Sequence, residues 1–173
     1  MQVFLIRHPL PVIEAGICYG RLDVEPHDPQ SVAVRLRPLL PQGIPVISSP
    51  LRRARQLAEA LHPAPSIDAR LSEIDFGEWE GKSWNDIDRD ALDAWAADVL
   101  GFTPPGGESV ARLQQRAIDF AASLDNLPNV ALVTHAGILR ALLGHWRQLP
   151  FAEWTQLKFE FGSITQIEIA NRF

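Results

Sequence analysis

Two histidines stand where buried strands should end, and one of them has an arginine beside it. Arg7-His8 follows the apolar run Val3-Phe4-Leu5-Ile6, and Thr134-His135-Ala136-Gly137 follows Val130-Ala131-Leu132-Val133. Short apolar runs of this kind read as strands covered on both faces. Open α/β sheets place their ligands beyond the carboxyl ends of such strands. The pattern therefore predicts a pocket in which a guanidinium and two imidazoles meet an anion. A further cationic cluster, Arg52, Arg53 and Arg55, crowds the start of a helix behind Ser49-Pro50. Cations at a helix N-terminus are disfavoured by about 0.3–1 kcal/mol each, and a bound anion would reverse that penalty. Plainer readings stand beside these. The arginines could be solvated, and a lone strand-end histidine is often a hydrogen-bonded structural residue. His8 and His135 could also bind a metal with Glu73 as third ligand. Against metal, a guanidinium repels a divalent cation, whereas Arg7 and Arg53 suit the bidentate geometry of phosphate.

The elements that must carry these residues can be read from periodicity. Strand signals fall at 3–6, 45–48, 130–133 and 164–169, and the last alternates like an edge or half-exposed strand. Leu51, Ala54, Leu57, Ala58 and Leu61 share a helical face, with Ser49 as the expected N-cap and Pro50 at the first position. Val110, Leu113, Ala117, Ala121 and Leu124 form a second stripe; Ile138, Leu139, Leu142, Leu143 and Trp146 form a third. Strands alternating with helices predict a three-layer α/β/α sandwich on a mostly parallel central sheet. Residues 9–30, rich in Pro and Gly, read as a long ordered loop. Residues 74–107, with Trp79, Trp84 and Trp95, read as a small helical insertion and candidate lid within a single domain spanning 1–173.

Composition narrows the function classes. The chain has 173 residues, 46% of them hydrophobic, which suits one domain with a substantial core. A formal net charge of −5 argues against a nucleic-acid or membrane-surface partner, so an anion site must be a local basic cluster on an acidic body. Cys18 is the single cysteine, which rules out an intrachain disulfide. Arg7-His8 interrupts the first apolar run too early for a signal peptide, and no apolar stretch is long enough to span a bilayer. These features predict a cytoplasmic protein. Nothing in the sequence selects an oligomeric state.

Five segments, in order, resemble the histidine phosphatase superfamily, which includes the cofactor-dependent phosphoglycerate mutases. They are Leu5-Ile6-Arg7-His8, Ser48-Ser49-Pro50-Leu51-Arg52-Arg53-Ala54, the acid-bearing stretch from Leu71 to Gly81, Pro105-Gly106-Gly107-Glu108-Ser109, and Val133-Thr134-His135-Ala136-Gly137. Within the superfamily, Arg7-His8-Pro9, the stretch Cys18-Tyr19-Gly20-Arg21-Leu22-Asp23 and Asp75-Phe76-Gly77-Glu78-Trp79-Glu80-Gly81 look most like the α-ribazole phosphatases of cobalamin assembly. Two positions depart from the family pattern. Pro9 stands where glycine is usual, which removes a backbone N–H, and the stretch 11–15 lacks the mutases' phosphate-holding asparagine.

The resemblance implies a phosphomonoesterase that needs no cofactor and no metal and acts on a small-molecule phosphomonoester. His8 would be the nucleophile, forming a phosphohistidine. Arg7, Arg53 and His135 would hold the phosphoryl oxygens, and Glu73 would protonate the leaving oxygen. Asp75, Glu78 and Glu80 lie nearby, and only the family register singles out Glu73. Tyr19, Gly20 and Trp79 would contact substrate, and Tyr19, Phe76, Trp79 and Trp84 could form an apolar slot for an aromatic base. Each of these aromatics could equally fill the core beneath the insertion. A sugar-phosphate phosphatase, a phosphoglycerate mutase and a non-catalytic phosphate-binding module on the same fold remain rivals.

Overall fold

The computed structural model describes residues 1–124 and 127–169. Five strands form one sheet: β1 (Gln2–Arg7), β2 (Val46–Ser48), β3 (Ser66–Ile67), β4 (Asn129–Thr134) and β5 (Ile164–Glu168), in the order β3-β2-β4-β1-β5. All neighbours pair in parallel except β5, which runs antiparallel to β1 at the edge, as its alternating sequence requires. Among the described residues six α-helices accompany them: α1 (Pro29–Leu36), α2 (Arg52–Leu61), α3 (Arg89–Ala97), α4 (Val110–Ala122), α5 (Ala136–Trp146) and α6 (Phe151–Trp154).

The period of two in the central strands divides the core into two layers. Val3, Leu5, Val130 and Leu132 pack with α4 and α5 residues such as Leu113, Phe120, Ile138 and Leu142. Phe4, Ile6, Ala131 and Val133 pack on the other face with Ala33, Leu36, Ala54 and Leu57 of α1 and α2. The result is the three-layer α/β/α sandwich on a mostly parallel sheet.

Three local expectations change. Helix α1 begins at Pro29, so the long loop ends at Asp28, whose carboxylate caps the helix by accepting from the Ser31 amide at 3.0 Å. Strand β3 is only two residues long and exposed, too short for a periodic signal. Helix α2 starts at Arg52 with Leu51 as N-cap, and Ser49 is not the cap. The Ser49 amide instead continues the β-ladder by donating to Val133 O at 3.0 Å, which holds Ser49 in the sheet.

The 74–107 segment carries its own small core. Cys18, Trp79 and Ile87 are buried there, surrounded by Phe76, Trp84, Trp95 and Phe102. Residues 16–18 of the first loop bond the backbone of 81–84 through Cys18 N to Lys82 O, Gly81 N to Cys18 O and Trp84 N to Gly16 O, at 2.8–2.9 Å. Loop and insertion thus form one cover over the carboxyl ends of the strands. No described helix is long and apolar enough to cross a membrane.

Candidate active site

Parallel pairing in register brings the two histidines together. Arg7 of β1 lies opposite Thr134 of β4, and the His8 amide donates to Thr134 O at 3.0 Å, so His8 and His135 leave adjacent strands side by side. Their ring centroids are 5.0 Å apart. The His8 Nδ1 lies 2.6 Å from Pro9 O. A carbonyl only accepts, so Nδ1 carries the proton and Nε2 keeps its lone pair. Proline at position 9 loses an amide but keeps the carbonyl that fixes this tautomer. Burial, and then the charges of Arg53 and Arg7, push the His8 pKa down to about 3, so the ring is neutral and nucleophilic in the physiological range.

His135 is fully buried and lies behind His8 rather than on the cavity surface. Burial first, then His8 and Arg53, push its pKa well below the ordinary imidazole value. Its Nε2 is 2.7 Å from Ser49 Oγ, which also accepts from the Leu51 amide. If Ser49 gives its own proton to Nε2, the imidazole proton sits on Nδ1. That Nδ1 has no hydrogen-bond partner among the described residues.

The three arginines at the start of α2 separate. Arg53 is wholly buried and turns into the site, where its terminal nitrogens donate to the carbonyls of Leu22 and Gly20. Arg52 turns outward and pairs with Asp23 and Glu25. Arg55 pairs with Glu59 one turn on. The anion expected at this helix end is in part the chain's own: Asp23 Oδ1 accepts from the Arg52 amide at 2.7 Å. This offsets the local charge conflict without a ligand. Arg7 donates to Phe159 O at 2.6 Å and lies 3.7 Å over the Phe161 ring.

Four buried side-chain nitrogens lack hydrogen-bond partners among the described residues, and three of them, Arg7 Nε, Arg53 Nε and His135 Nδ1, belong to this cluster. An unsatisfied buried donor costs about 1–3 kcal/mol. Arg7 and Arg53, which line the cavity beside the neutral His8 imidazole, suit a multiply charged anion.

Glu73 reaches the same place from the other side. Its Oε2 accepts from the Gly137 amide in the first turn of α5 at 3.1 Å, and its Oε1 accepts from Ile74 N at 3.0 Å. The carboxylate thereby caps a helix whose N-cap residue, His135, supplies no side-chain cap. A cavity of about 420 Å³ opens over Arg7, His8, Arg53 and Glu73. It extends past Tyr19 to an apolar lobe that includes Ile17, Phe76, Trp84 and Trp95. Tyr19 lies within cation–π range of Arg53, and burial raises its phenol pKa, which keeps it neutral.

Two residues expected to contact substrate sit elsewhere. Trp79 is 4% exposed and stacks on Phe102 inside the insertion, so it does not line the cavity. Gly20 does not line it either. A Cβ there would lie 2.0 Å from Ile74 O, so Gly20 permits the close approach that puts its carbonyl on Arg53. Sequence reasoning missed Trp95 and Arg140, which do line the cavity, and Arg116, which bonds the backbone of the Glu73 segment. Arg140 and Arg116 were hidden on amphipathic helices, where an arginine reads as solvated.

A neutral histidine and two arginines lining a cavity at the strand ends of an α/β/α sandwich are compatible with a broad class of anion-handling proteins. Residues 3–172 match the model of the histidine phosphatase superfamily (branch 1), and the chain belongs to that superfamily. It is similar to glucosyl-3-phosphoglycerate phosphatase of Mycolicibacterium vanbaalenii, with 31% identity over 98% of this chain and 84% of that one. It is also similar to adenosylcobalamin/α-ribazole phosphatase of Salmonella typhimurium, with 29% identity over 74% of this chain and 68% of that one. A crystal structure of a candidate α-ribazole-5'-P phosphatase from Escherichia coli superposes with a TM-score of 0.88, covering 99% and 96% of the two chains. At 24% identity, that likeness speaks for the fold.

Proposed function

We propose that this chain is a metal-independent phosphomonoesterase that works through a phosphohistidine on His8. The observation carrying this reading is a histidine with an unprotonated Nε2 that shares a cavity wall with two arginines, each keeping a buried Nε without a partner among the described residues. The Nε2 lone pair attacks phosphorus, and the P–O ester bond breaks. Glu73 gives its proton to the departing oxygen. Water then attacks the phosphohistidine and passes a proton to Glu73, and the P–N bond breaks to release phosphate. Arg7 and Arg53, on the cavity wall, stabilise the equatorial oxygens in both steps, and the buried His135 ring backs His8 at 5.0 Å. A metal has no step to perform in this sequence of events.

For the leaving group, the reading is α-ribazole 5'-phosphate, as in cobalamin biosynthesis. The apolar lobe supports it. Trp84 and Trp95 stack at 5.9 Å and 14°, and Phe76 meets both edge-on, which gives flat surfaces suited to a benzimidazole base. One observation favours a second reading. Arg140 is a third arginine on the cavity wall, and among the described residues its hydrogen bond runs from Nε to Leu157 O at 2.8 Å. A leaving group bearing a carboxylate, such as a phosphoglyceryl ester, would use its remaining donors.

Phosphate release from α-ribazole 5'-phosphate, phosphoglyceryl, sugar and nucleotide monoesters tests the proposal, in EDTA, for wild type and His8→Ala. Preference for α-ribazole 5'-phosphate, lost in the variant, is the expected result. Preference for carboxylate-bearing esters with the same His8 dependence would keep the chemistry and replace the substrate. Loss of turnover in EDTA that zinc restores would overturn the phosphohistidine mechanism. No His8-dependent release from any ester, and no trapped phosphohistidine, would favour a phosphate-binding module.

A further inference from the structure

Glu73 lies in a stretch, 72–76, that belongs to no helix or strand, so no regular ladder holds its backbone. Two side chains outside the cavity take that role. Arg116, one face along α4, forms a two-pronged pair with Glu108: Nε to Oε1 at 2.7 Å and NH2 to Oε2 at 2.8 Å. The pair fixes the plane of the guanidinium. The remaining donors go to main-chain carbonyls. NH1 donates to Arg70 O and to Ser72 O, both at 2.6 Å, and NH2 donates to Glu73 O at 3.0 Å. All five N–H donors of Arg116 are thereby used. Glu108 adds its own backbone bond, donating to Asp75 O at 2.8 Å, and its Oε2 accepts from the Asp75 amide at 3.4 Å. Arg21 reinforces the clamp from the first loop, with Nε on Glu73 O at 3.4 Å and ion pairs to Asp75 and Glu108.

We infer that the Arg116–Glu108 pair is a positioning device for Glu73, replacing the missing ladder so that the carboxyl group stays between the Gly137 amide and the leaving oxygen. The inference rests on the reading of Glu73 as the acid given above. Neither Arg116 nor Glu108 lines the cavity, so they act through Glu73 and not on substrate. Lysine at position 116 keeps the positive charge but has three donors at one point, and it cannot bridge a carboxylate and three carbonyls in one plane. Arg116→Lys therefore separates geometry from charge, including the charge that Arg116 contributes around His135.

The test compares His8 phosphorylation by an alkyl monoester, glycerol phosphate, and by 4-nitrophenyl phosphate. It uses wild type, Arg116→Lys and Glu108→Gln, which guards against misfolding of either variant. An aryl leaving group departs without a proton, whereas an alkyl one needs the acid. Transfer from glycerol phosphate is expected to fall about 30- to 100-fold, the scale of lost general acid catalysis. Transfer from the aryl ester and inhibition by inorganic phosphate should stay near wild type. The Gly137 amide proton resonance should move toward its position in Glu73→Gln. An equal fall with both esters, or no fall with either, would overturn the inference. If wild type phosphorylates His8 from neither ester, the proposed function fails, and the Gly137 resonance still decides the positioning role. Movement supports that role, and an unmoved resonance rejects it.

Discussion

Glu73 and Gly137 fit each other at contact distance. The carboxylate accepts from the Gly137 amide at 3.1 Å, and a Cβ on Gly137 would lie 2.3 Å from Oε1. Glycine inside a helix normally costs about 0.5–1 kcal/mol relative to alanine, and here the missing Cβ makes room for the candidate acid. Gly137→Ala is expected to displace the carboxyl group and lower kcat on alkyl monoesters at least about tenfold, within the range of lost acid catalysis. KM should change little, because the phosphate donors stay in place. Steady-state kinetics with glycerol phosphate checks this, and unchanged kcat would mean that Glu73 has room to spare.

The two buried histidines make stability depend on pH. The folded pKa of His8 is about 3, below the ordinary 6.5, so the unfolded chain binds a proton more readily than the folded one between these values. Stability from His8 is complete above pH 6.5 and declines as pH falls toward 3, by about 1.4 kcal/mol per pH unit. His135 acts in the same direction. Denaturant unfolding at pH 7.5 and 5.0 should show His8→Gln losing less stability on acidification than wild type. Equal losses would mean that His8 is more exposed to water than its burial indicates.

Gly20 holds the first loop against Ile74 and supplies a carbonyl to Arg53. Gly20→Ala would force a shift, because the added Cβ meets backbone at 2.0 Å. Arg53 loses an anchor as the loop moves. The expected outcome is weaker competitive inhibition by inorganic phosphate together with a lower Tm. Loss of Tm with unchanged phosphate inhibition would separate the loop from the anion site.

The stacked pair Trp84 and Trp95 lines the lobe away from His8. Trp95→Ala should raise KM several-fold for a substrate with an aromatic base, since a stacked ring contributes about 0.5–1.5 kcal/mol beyond its area. KM for glycerol phosphate should hardly change. Parallel increases for both substrates would show that the tryptophan supports the insertion and not the leaving group.

Much of this architecture was legible in the sequence. The runs at Val3–Ile6 and Val130–Val133 announced central parallel strands, and the alternation at 164–169 announced an edge. Helices α4 and α5 lie where their apolar stripes put them. Other features left no local trace. Strand β3 is too short for a period, and Ser49 looked like a helix cap because serine before a helix usually is one. Trp79 and Trp84 are alike in sequence, yet one is core and the other lines the cavity. Both meet Trp95 of α3, but Trp79 is also covered by Phe102, a contact that no local pattern encodes.

The sequence by itself determined which chemistry was available: strand-end Arg7, His8 and His135, the helix-start Arg53, and the acid-bearing segment around Glu73. Side-chain type and period are local properties, and they survive in the linear order. The tertiary structure alone decided how these groups act on one another. Register between β1 and β4 put the imidazoles 5.0 Å apart, and burial beside Arg53 and Arg7 lowered the pKa of His8. Asp23 neutralised the helix end that seemed to await a ligand, and Arg116, 43 residues from Glu73 in the chain, came to hold its backbone. Desolvation, hydrogen-bond geometry and charge proximity depend on distances in space, and residues far apart in the chain acquire those distances only when it folds.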